Sequence, residues 1–156
     1  MIFNLAAFAL STSAAFAELV EKTSPHSVQV TMDKLEKAVE GAGAVVAARI
    51  DHAAAAASVD MNIAPNQVLI FGNPNIGSPI FAENPAAGLD LRIRVVVFQD
   101  AAGKTIVAYH DPATLAESYG LAPDMKPFKM METALNNVTH AAISQYCQGL
   151  KSKKAP

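Results

Sequence analysis

Residues 91–110 read LRIRVVVFQDAAGKTIVAYH, and this stretch decides the fold. Residues 91–99 and 105–110 are both rich in β-branched and aromatic residues, which pack well on a pleated sheet. The four residues between them, DAAG at 100–103, have the composition of a hairpin connection. The stretch therefore predicts two antiparallel strands joined by a short turn.

Three shorter segments nearer the N-terminus also have strand character. Residues 44–50 and 67–71 are mostly apolar, and in residues 24–30 two valines alternate with polar residues. The tripeptide GNP at 72–74 predicts a turn after the strand at 67–71. With the hairpin, these segments supply the strands of one sheet.

Apolar residues recur at helical spacing in two longer segments. Thr31 can cap a helix over residues 32–40, and Pro127 can begin the last helix of the chain. The apolar face of that last helix consists of Phe128, Met131, Leu135, Val138 and Ala142. Shorter helices are predicted to start at Ser78-Pro79 and at Asp111-Pro112, because a capping residue before proline is typical of a first turn.

The order of these elements predicts the fold class. Strands follow one another through hairpin-type connections, which favours an antiparallel sheet. The two long helices each have one apolar stripe, and one face of the sheet is available to cover both stripes. We therefore predict an α+β fold, an antiparallel sheet with helices packed on one face.

Composition excludes several classes of function. The 156 residues contain 12 Lys and Arg against 14 Asp and Glu, a net charge of −2, which gives no electrostatic attraction to nucleic acid. The single cysteine, Cys147, excludes an intrachain disulfide and every metal site that needs several cysteines. The length is that of one domain.

Residues 1–17, MIFNLAAFALSTSAAFA, have the pattern of a secretory signal peptide. An apolar core precedes Ala15-Phe16-Ala17, a typical cleavage site, although the usual Lys or Arg at the start is missing. The alternative is a buried N-terminal helix. We expect export, a single mature domain over residues 18–156, and a periplasmic or secreted location. No later segment is apolar enough to span a bilayer, so no stable membrane insertion is expected after cleavage.

Several motifs resemble one bacterial family. ARIDHAA at 48–54 and IFGNP at 70–74, followed by GLDL at 88–91, look like the family called domain of unknown function 302, over residues 24–145. The resemblance implies a strand, a helix, four strands and a helix, similar in outline to the TATA-binding-protein-like class. It also implies a homodimer and brings no known activity. This chain departs from the family at Arg92, where proline is usual, and at Asp60, where glycine is frequent.

Five polar residues near predicted strand ends are candidates for binding a ligand: Asp51, His52, Asn73, Asp90 and Tyr109. A histidine titrates near neutral pH, and a desolvated carboxylate can act as an acid or base. Each residue also has a structural interpretation. Asp51 can cap the following alanine-rich turn, Asn73 can form a turn, and Asp90 can accept backbone N–H groups at the entry of a strand.

Three hypotheses about function follow. The first is a non-catalytic module of the cell envelope that binds a small apolar ligand or a partner protein. The second is a small periplasmic enzyme that uses Asp51, His52 and Asp90 in one cleft. The third is a copper carrier built from the chain's histidines and methionines, but no two histidines have ligand spacing. We therefore predict no metal and no cofactor.

Overall fold

The computed structural model describes residues 18–145. The predicted signal peptide, Cys147 and the lysines after it lie outside the described residues. Five strands form one antiparallel sheet in the order β1-β5-β4-β3-β2. Their bounds are Leu19–Ser24 for β1, Val45–Asp51 for β2, Asn66–Gly72 for β3, Ile93–Gln99 for β4 and Thr105–His110 for β5. The predicted α+β class and the antiparallel sheet are confirmed.

The helices connect the strands and lie mainly on one side of the sheet. They are α1 (Val28–Gly41), α2 (His52–Ala57), α3 (Pro74–Glu83), α4 (Pro112–Ser118) and α5 (Lys126–Ile143), with a 3-10 helix at Pro85–Leu89. Helices α1 and α5 pack against each other and against the sheet, while α3 and α4 pack against α5. None of the described helices has the length and apolarity needed to cross a bilayer.

The core lies between the sheet and helices α1 and α5. The inner face of the sheet, which faces these helices, contributes Leu69, Val95 and Val107, all fully buried. Helix α5 buries the apolar face predicted from its sequence, Phe128, Met131, Leu135, Val138 and Ala142. Burying a large aliphatic or aromatic side chain is worth ~1.5–3 kcal/mol, so this layer is the main source of stability.

The predicted hairpin is confirmed, with β4 and β5 on either side of the turn. The Asp100 carboxylate accepts hydrogen bonds from the backbone N–H groups of Ala102 and Lys104, at 2.9 and 2.8 Å. Gly103 has a φ of +79°, a left-handed conformation that glycine adopts without steric cost.

The predicted strand at 24–30 is wrong, because β1 ends at Ser24 and residues from Val28 onward are helical. Ser27, rather than Thr31, caps α1 by accepting a hydrogen bond from the Val30 N–H. Thr31 belongs to the second turn of α1, and its side chain is fully buried. Its hydroxyl lies 2.7 Å from the hydroxyl of Ser24. One buried face of α1 contains Val28, Thr31 and Leu35. Burial of this face favours the helix over the strand that the alternating valines predicted.

The predicted helix start at Ser78 is also misplaced. Asn73 caps α3, its side-chain oxygen accepting a hydrogen bond from the Asn75 N–H, and Pro74 occupies the first turn. Pro79 therefore lies inside the helix. Asparagine before proline is compatible with both a turn and a helix start, and the structure uses it as a helix start.

The opposite face of the sheet, the outer face, presents apolar side chains that do not belong to the core. It is formed by Val68, Ile70, Val96, Phe98 and Ile106, each partly exposed. Helices α1 and α5 lie on the inner face, where Lys22 contacts α5 and Arg49 contacts α1. The described helices α1 and α5 leave the outer face uncovered, and Arg94 and Glu21 lie on it beside these apolar residues.

Candidate functional site

Asp51 serves the local structure at the end of β2. Its carboxylate caps α2 by accepting a hydrogen bond from the Ala54 N–H at 2.9 Å, as predicted by its structural interpretation. The second carboxylate oxygen accepts from the Gln67 side chain at 3.0 Å. His52 is the first residue of α2 and is exposed. Both oxygens of Asp51 are thus engaged, and His52 lies beside it on the surface.

Arg49, which was not predicted as a site residue, links the sheet to α1. Its guanidinium donates to Asp33 at 2.7 Å and to Glu36 at 2.9 Å. It also donates to the side-chain oxygen of Gln67, at 2.8 and 3.1 Å. Partial burial by itself lowers the pKa of Arg49, but the two carboxylates outweigh it and raise that pKa. The group is a charged structural clamp between α1 and β2.

Asp90 lies at the opposite end of the sheet from Asp51. In the register of the sheet, Asp51 of β2 lies opposite Gln67 of β3, and Gln67 lies opposite Val97 of β4. Val97 comes four residues after Ile93, the first residue of β4. At ~3.3 Å per residue the two carboxylates are separated by more than ~13 Å along the strand. The structure therefore does not bring Asp51, His52 and Asp90 together in one cleft.

The Asp90 carboxylate has two side-chain partners. It accepts a hydrogen bond from the guanidinium of Arg94 at 2.5 Å and another from the hydroxyl of Tyr119 at 2.5 Å. The hydrogen bond from Tyr119 to Asp90 raises the pKa of the tyrosine hydroxyl, and burial and the carboxylate charge act in the same direction. The cluster joins the start of β4 to the end of α4.

We expect Asp90→Asn to lower the pKa of Tyr119 toward ~10, the ordinary value for tyrosine. The amide removes the negative charge that disfavours tyrosinate. Because the folded-state pKa is raised, the associated stability is complete below pH ~10 and is lost as the pH rises through the folded value. Absorbance titration at 295 nm measures the change, with Tyr119→Phe identifying the signal. An unchanged titration curve in Asp90→Asn would show that the carboxylate does not hold the phenol.

Tyr109 lies on the inner face of β5 and is buried. Burial raises the pKa of its hydroxyl. The ammonium of Lys22 lies 5.8 Å from the ring centroid and donates to the side chains of Asn136 and Thr139, both at 2.8 Å. Burial lowers the pKa of Lys22. These contacts join β1 and β5 to α5, so Tyr109 belongs to the packing of the core.

Asn73 lies at a cavity between the sheet and the helices. The cavity has a volume of about 80 Å³, and Asn73 has the only polar side chain among the described residues that line it. Its walls come from α1, α3, α5 and the ends of β3 and β4, and include Val39, Phe71, Ile76, Met131, Leu135 and Val138. Cavities with apolar walls exclude ordered water and accept small apolar molecules. Of the five predicted candidates, Asn73 alone lines this cavity.

Two open grooves adjoin the cavity and share Asn73 with it. One, of about 320 Å³, continues past Gly77 and Phe81 to Arg92. The other, of about 570 Å³, continues along α5 to Lys126 and Lys129. The residues common to the cavity and the second groove are Ala42, Asn73, Ile76, Ala134 and Val138. An elongated molecule with its apolar part in the cavity would therefore leave past Asn73.

Metal binding has little support in the described part of the chain. Among residues 18–145, no three His, Cys, Asp or Glu side chains lie close enough together to hold a metal ion. The ring of His26 contacts the ammonium of Lys34 and the carbonyl oxygen of Ser144, both at 3.0 Å. His26 therefore joins α1 to the end of α5.

The fold and the cavity define a class, a two-layer α+β sandwich with an apolar cavity between its sheet and its helices. The chain belongs to the family described as domain of unknown function DUF302, whose model matches residues 20–140. The crystal structure of an uncharacterized conserved DUF302 protein from Bacillus stearothermophilus superimposes with a TM-score of 0.71 at 18% sequence identity. The match covers 80% of this chain and 97% of that one, and it confirms the fold.

The curated relatives are longer than this chain, and their names describe an ion channel. The chain is 36% identical over 126 residues to "Fluoride-specific ion channel FluC 1" of Brucella suis biovar 1, covering 80% of this chain and 49% of that protein. A protein with the same name from Brucella abortus biovar 1 is also 36% identical, with 80% and 46% coverage. The chain thus spans about half the length of the curated relatives it matches.

Proposed function

We propose that this chain is a non-catalytic binding module of the cell envelope that holds a small apolar molecule between its sheet and its helices. The observation that carries the proposal is the cavity beside Asn73, lined otherwise by apolar side chains and glycine. Ligand pockets in proteins are largely apolar, with a few placed polar groups that fix orientation. Here Asn73 is that polar group.

The contacts of the acidic candidates favour binding over catalysis. Asp51 is committed to capping α2 and to Gln67, and Asp90 is committed to Arg94 and Tyr119. Neither carboxylate lines the apolar cavity. A hollow with one amide side chain can orient a ligand but offers no acid or base to a reaction.

The envelope part of the proposal rests on two observations. Residues 1–17 have the pattern of a signal peptide, which would direct the mature chain out of the cytoplasm. The curated relatives carry the name of an ion channel, and this chain matches about half of each. Mass spectrometry of the protein purified from its own host tests the placement, since a mature N-terminus at Glu18 in the periplasmic fraction is the expected result.

Filling the mouth of the cavity should abolish binding of an apolar probe. Ala134 on α5 lines both the cavity and the groove beside it, so Ala134→Leu places three more carbons there. We expect the affinity for 1-octanol, measured by isothermal titration calorimetry, to fall at least ~10-fold, equivalent to ~1.4 kcal/mol. Leucine and alanine are both good helix formers, so the fold should be retained.

Ala141→Leu is the matched control for this change. Ala141 lies on the same helix and is exposed. Its substitution should leave octanol binding unchanged. If the wild-type protein shows no saturable binding of 1-octanol, or if both variants bind as the wild type does, the cavity is not a binding site.

We also propose that two copies associate through the outer face. Five strands ~4.8 Å apart and about six residues long give the outer face a total area of roughly 400 Å², with the charged residues Arg94 and Glu21 among its exposed side chains. The centre of this area is apolar, with Val68 and Ala108 on either side of Val96. A patch that is apolar at its centre and belongs to every copy fits a second copy of itself about a two-fold axis.

A further inference from the structure

The rim of the cavity is cationic. Arg92 lines one adjoining groove, and Lys126 and Lys129 line the other. No Asp or Glu belongs to the described residues that line the cavity or either groove. The chain as a whole has a net charge of −2, so this concentration of positive charge is local. A negatively charged group on a ligand would be attracted to this opening. No other part of the cavity surface would attract it.

The amide group of Asn73 adds a hydrogen-bond donor at the same opening. Its oxygen is occupied by capping α3, which fixes the side chain and directs its NH₂ group away from the helix N-terminus. That NH₂ group has no hydrogen-bond partner among residues 18–145. Asn73 is also the residue shared by the cavity and both grooves. A donor without a protein partner that lines the same grooves as three cations is suited to an anionic oxygen.

One carboxylate lies close enough to a lysine of the rim to compete with an anionic ligand for it. The ammonium of Lys129 is 3.5 Å from the carboxylate of Glu132, and both side chains are about 60% exposed. An ion pair exposed to this degree is weak and is readily exchanged. Lys126 and Arg92 have no carboxylate within salt-bridge distance among the described residues. The rim therefore keeps its positive charge.

We propose that the ligand is a small amphiphilic anion. Its apolar part occupies the cavity and the apolar part of the adjoining groove past Gly77 and Phe81, and its anionic group, a carboxylate or a similar oxyanion, lies at Asn73 between the lysines of α5 and Arg92. This inference rests on the proposed binding function and names the chemical class of its ligand. The apolar walls supply most of the affinity, and the rim selects an anion over a neutral molecule of the same length.

Octanoate and 1-octanol, which share the same apolar chain, test the proposal on the full chain by isothermal titration calorimetry. Octanoate should bind about 10-fold more tightly than 1-octanol at low salt, and the difference should shrink at 0.5 M NaCl, because salt screens exposed charges. Equal affinities, or tighter binding of 1-octanol, would overturn the ionic part while leaving the binding module intact. Absence of binding by both probes would overturn the binding module as well.

Asn73→Asp is the sharpest variant. Aspartate caps a helix as well as asparagine does, so α3 should be retained, while the donor becomes a negative charge. Octanoate affinity should fall at least 10-fold and 1-octanol affinity should stay within 2-fold of wild type. If octanoate binds Asn73→Asp as it binds the wild type, the anionic group does not lie at Asn73 and the proposal is wrong.

A second variant keeps the test decisive if Asn73→Asp unfolds. Lys126→Gln/Lys129→Gln removes two rim charges at exposed positions on α5 and should weaken octanoate about 3-fold to 10-fold without affecting 1-octanol. Lys37→Gln on α1, exposed and outside both grooves, is the matched control and should change neither affinity. A double variant that behaves like Lys37→Gln would contradict the proposed role of the rim.

Discussion

Leu135→Ala should lower the free energy of unfolding by ~3–4 kcal/mol, within the range observed when a buried leucine is truncated to alanine. Leu135 is 1% exposed and lies on the buried face of α5. It also forms part of the wall of the existing cavity, so the space left by the missing carbons would join a hollow of about 80 Å³. Neighbouring side chains are held by α1, α3 and the sheet, and cannot collapse into the enlarged space without losing their own contacts.

Urea denaturation followed by circular dichroism measures this loss, and Met130→Ala is its control. Met130 lies on the same helix but is 43% exposed, so its truncation should cost less than ~1 kcal/mol. Both changes introduce alanine, which equalises the gain in helix propensity. If the two variants lose the same stability, Leu135 does not pack as the structure shows.

The enlarged cavity gives this variant a second observable. A small apolar molecule such as benzene should bind Leu135→Ala and restore part of the lost stability, because a ligand that binds the folded state alone stabilises it by mass action. Met130→Ala keeps the cavity at its original size and should gain less from benzene. A larger rise in the unfolding midpoint of Leu135→Ala than of Met130→Ala would locate the new space at the cavity wall.

The hairpin and the last helix were predictable because local pattern and tertiary environment agree in them. β4 and β5 are central strands, and their many β-branched residues are typical of strands in the middle of a sheet. The five apolar residues of α5 repeat at three and four positions, and all five are buried. Where the buried face of an element is continuous and apolar, its sequence is enough to identify it.

The N-terminal strand was missed for the opposite reason. β1 is an edge strand whose inner face carries Val20, Lys22 and Ser24, so two of its three inward side chains are polar. Lys22 reaches past the core to side chains of α5, and Ser24 hydrogen-bonds Thr31. Period-two hydrophobicity is absent from such a strand. It appeared instead in the first turn of α1, where Val28 and Val30 happen to alternate with polar residues.

The candidate site was predictable residue by residue but not as an arrangement. Capping by Asp51 follows from its position before a helix and was predicted, whereas Asn73 was predicted to form a turn and instead caps α3. The contact of Arg49 with two carboxylates of α1 depends on the register between β2 and β3 and on where α1 crosses the sheet. The cavity depends on five elements at once, three helices and two strands. No local pattern in the sequence encodes either feature.

Val96→Glu should convert the proposed dimer into a monomer, raising its dissociation constant by at least ~100-fold, or ~2.7 kcal/mol. Val96 lies near the middle of the outer face, between Val68 of β3 and Ala108 of β5. In a two-fold dimer built on this face, each copy would bury one new carboxylate in an apolar interface and bring it near its symmetry mate. Unpaired buried charge and like-charge contact both oppose association.

Analytical ultracentrifugation over a range of concentrations measures the effect, and Val30→Glu is the matched control. Val30 is 45% exposed on α1, which lies on the other side of the sheet, so the same substitution there should leave the dimer intact. Circular dichroism should show both variants folded, because Val96 is partly exposed in the single chain. A wild-type protein that remains monomeric at ~100 μM, 100-fold above a typical dimer dissociation constant of ~1 μM, would contradict the proposed dimer. A Val96→Glu variant that dimerises with the affinity of the wild type would show that the outer face is not the interface.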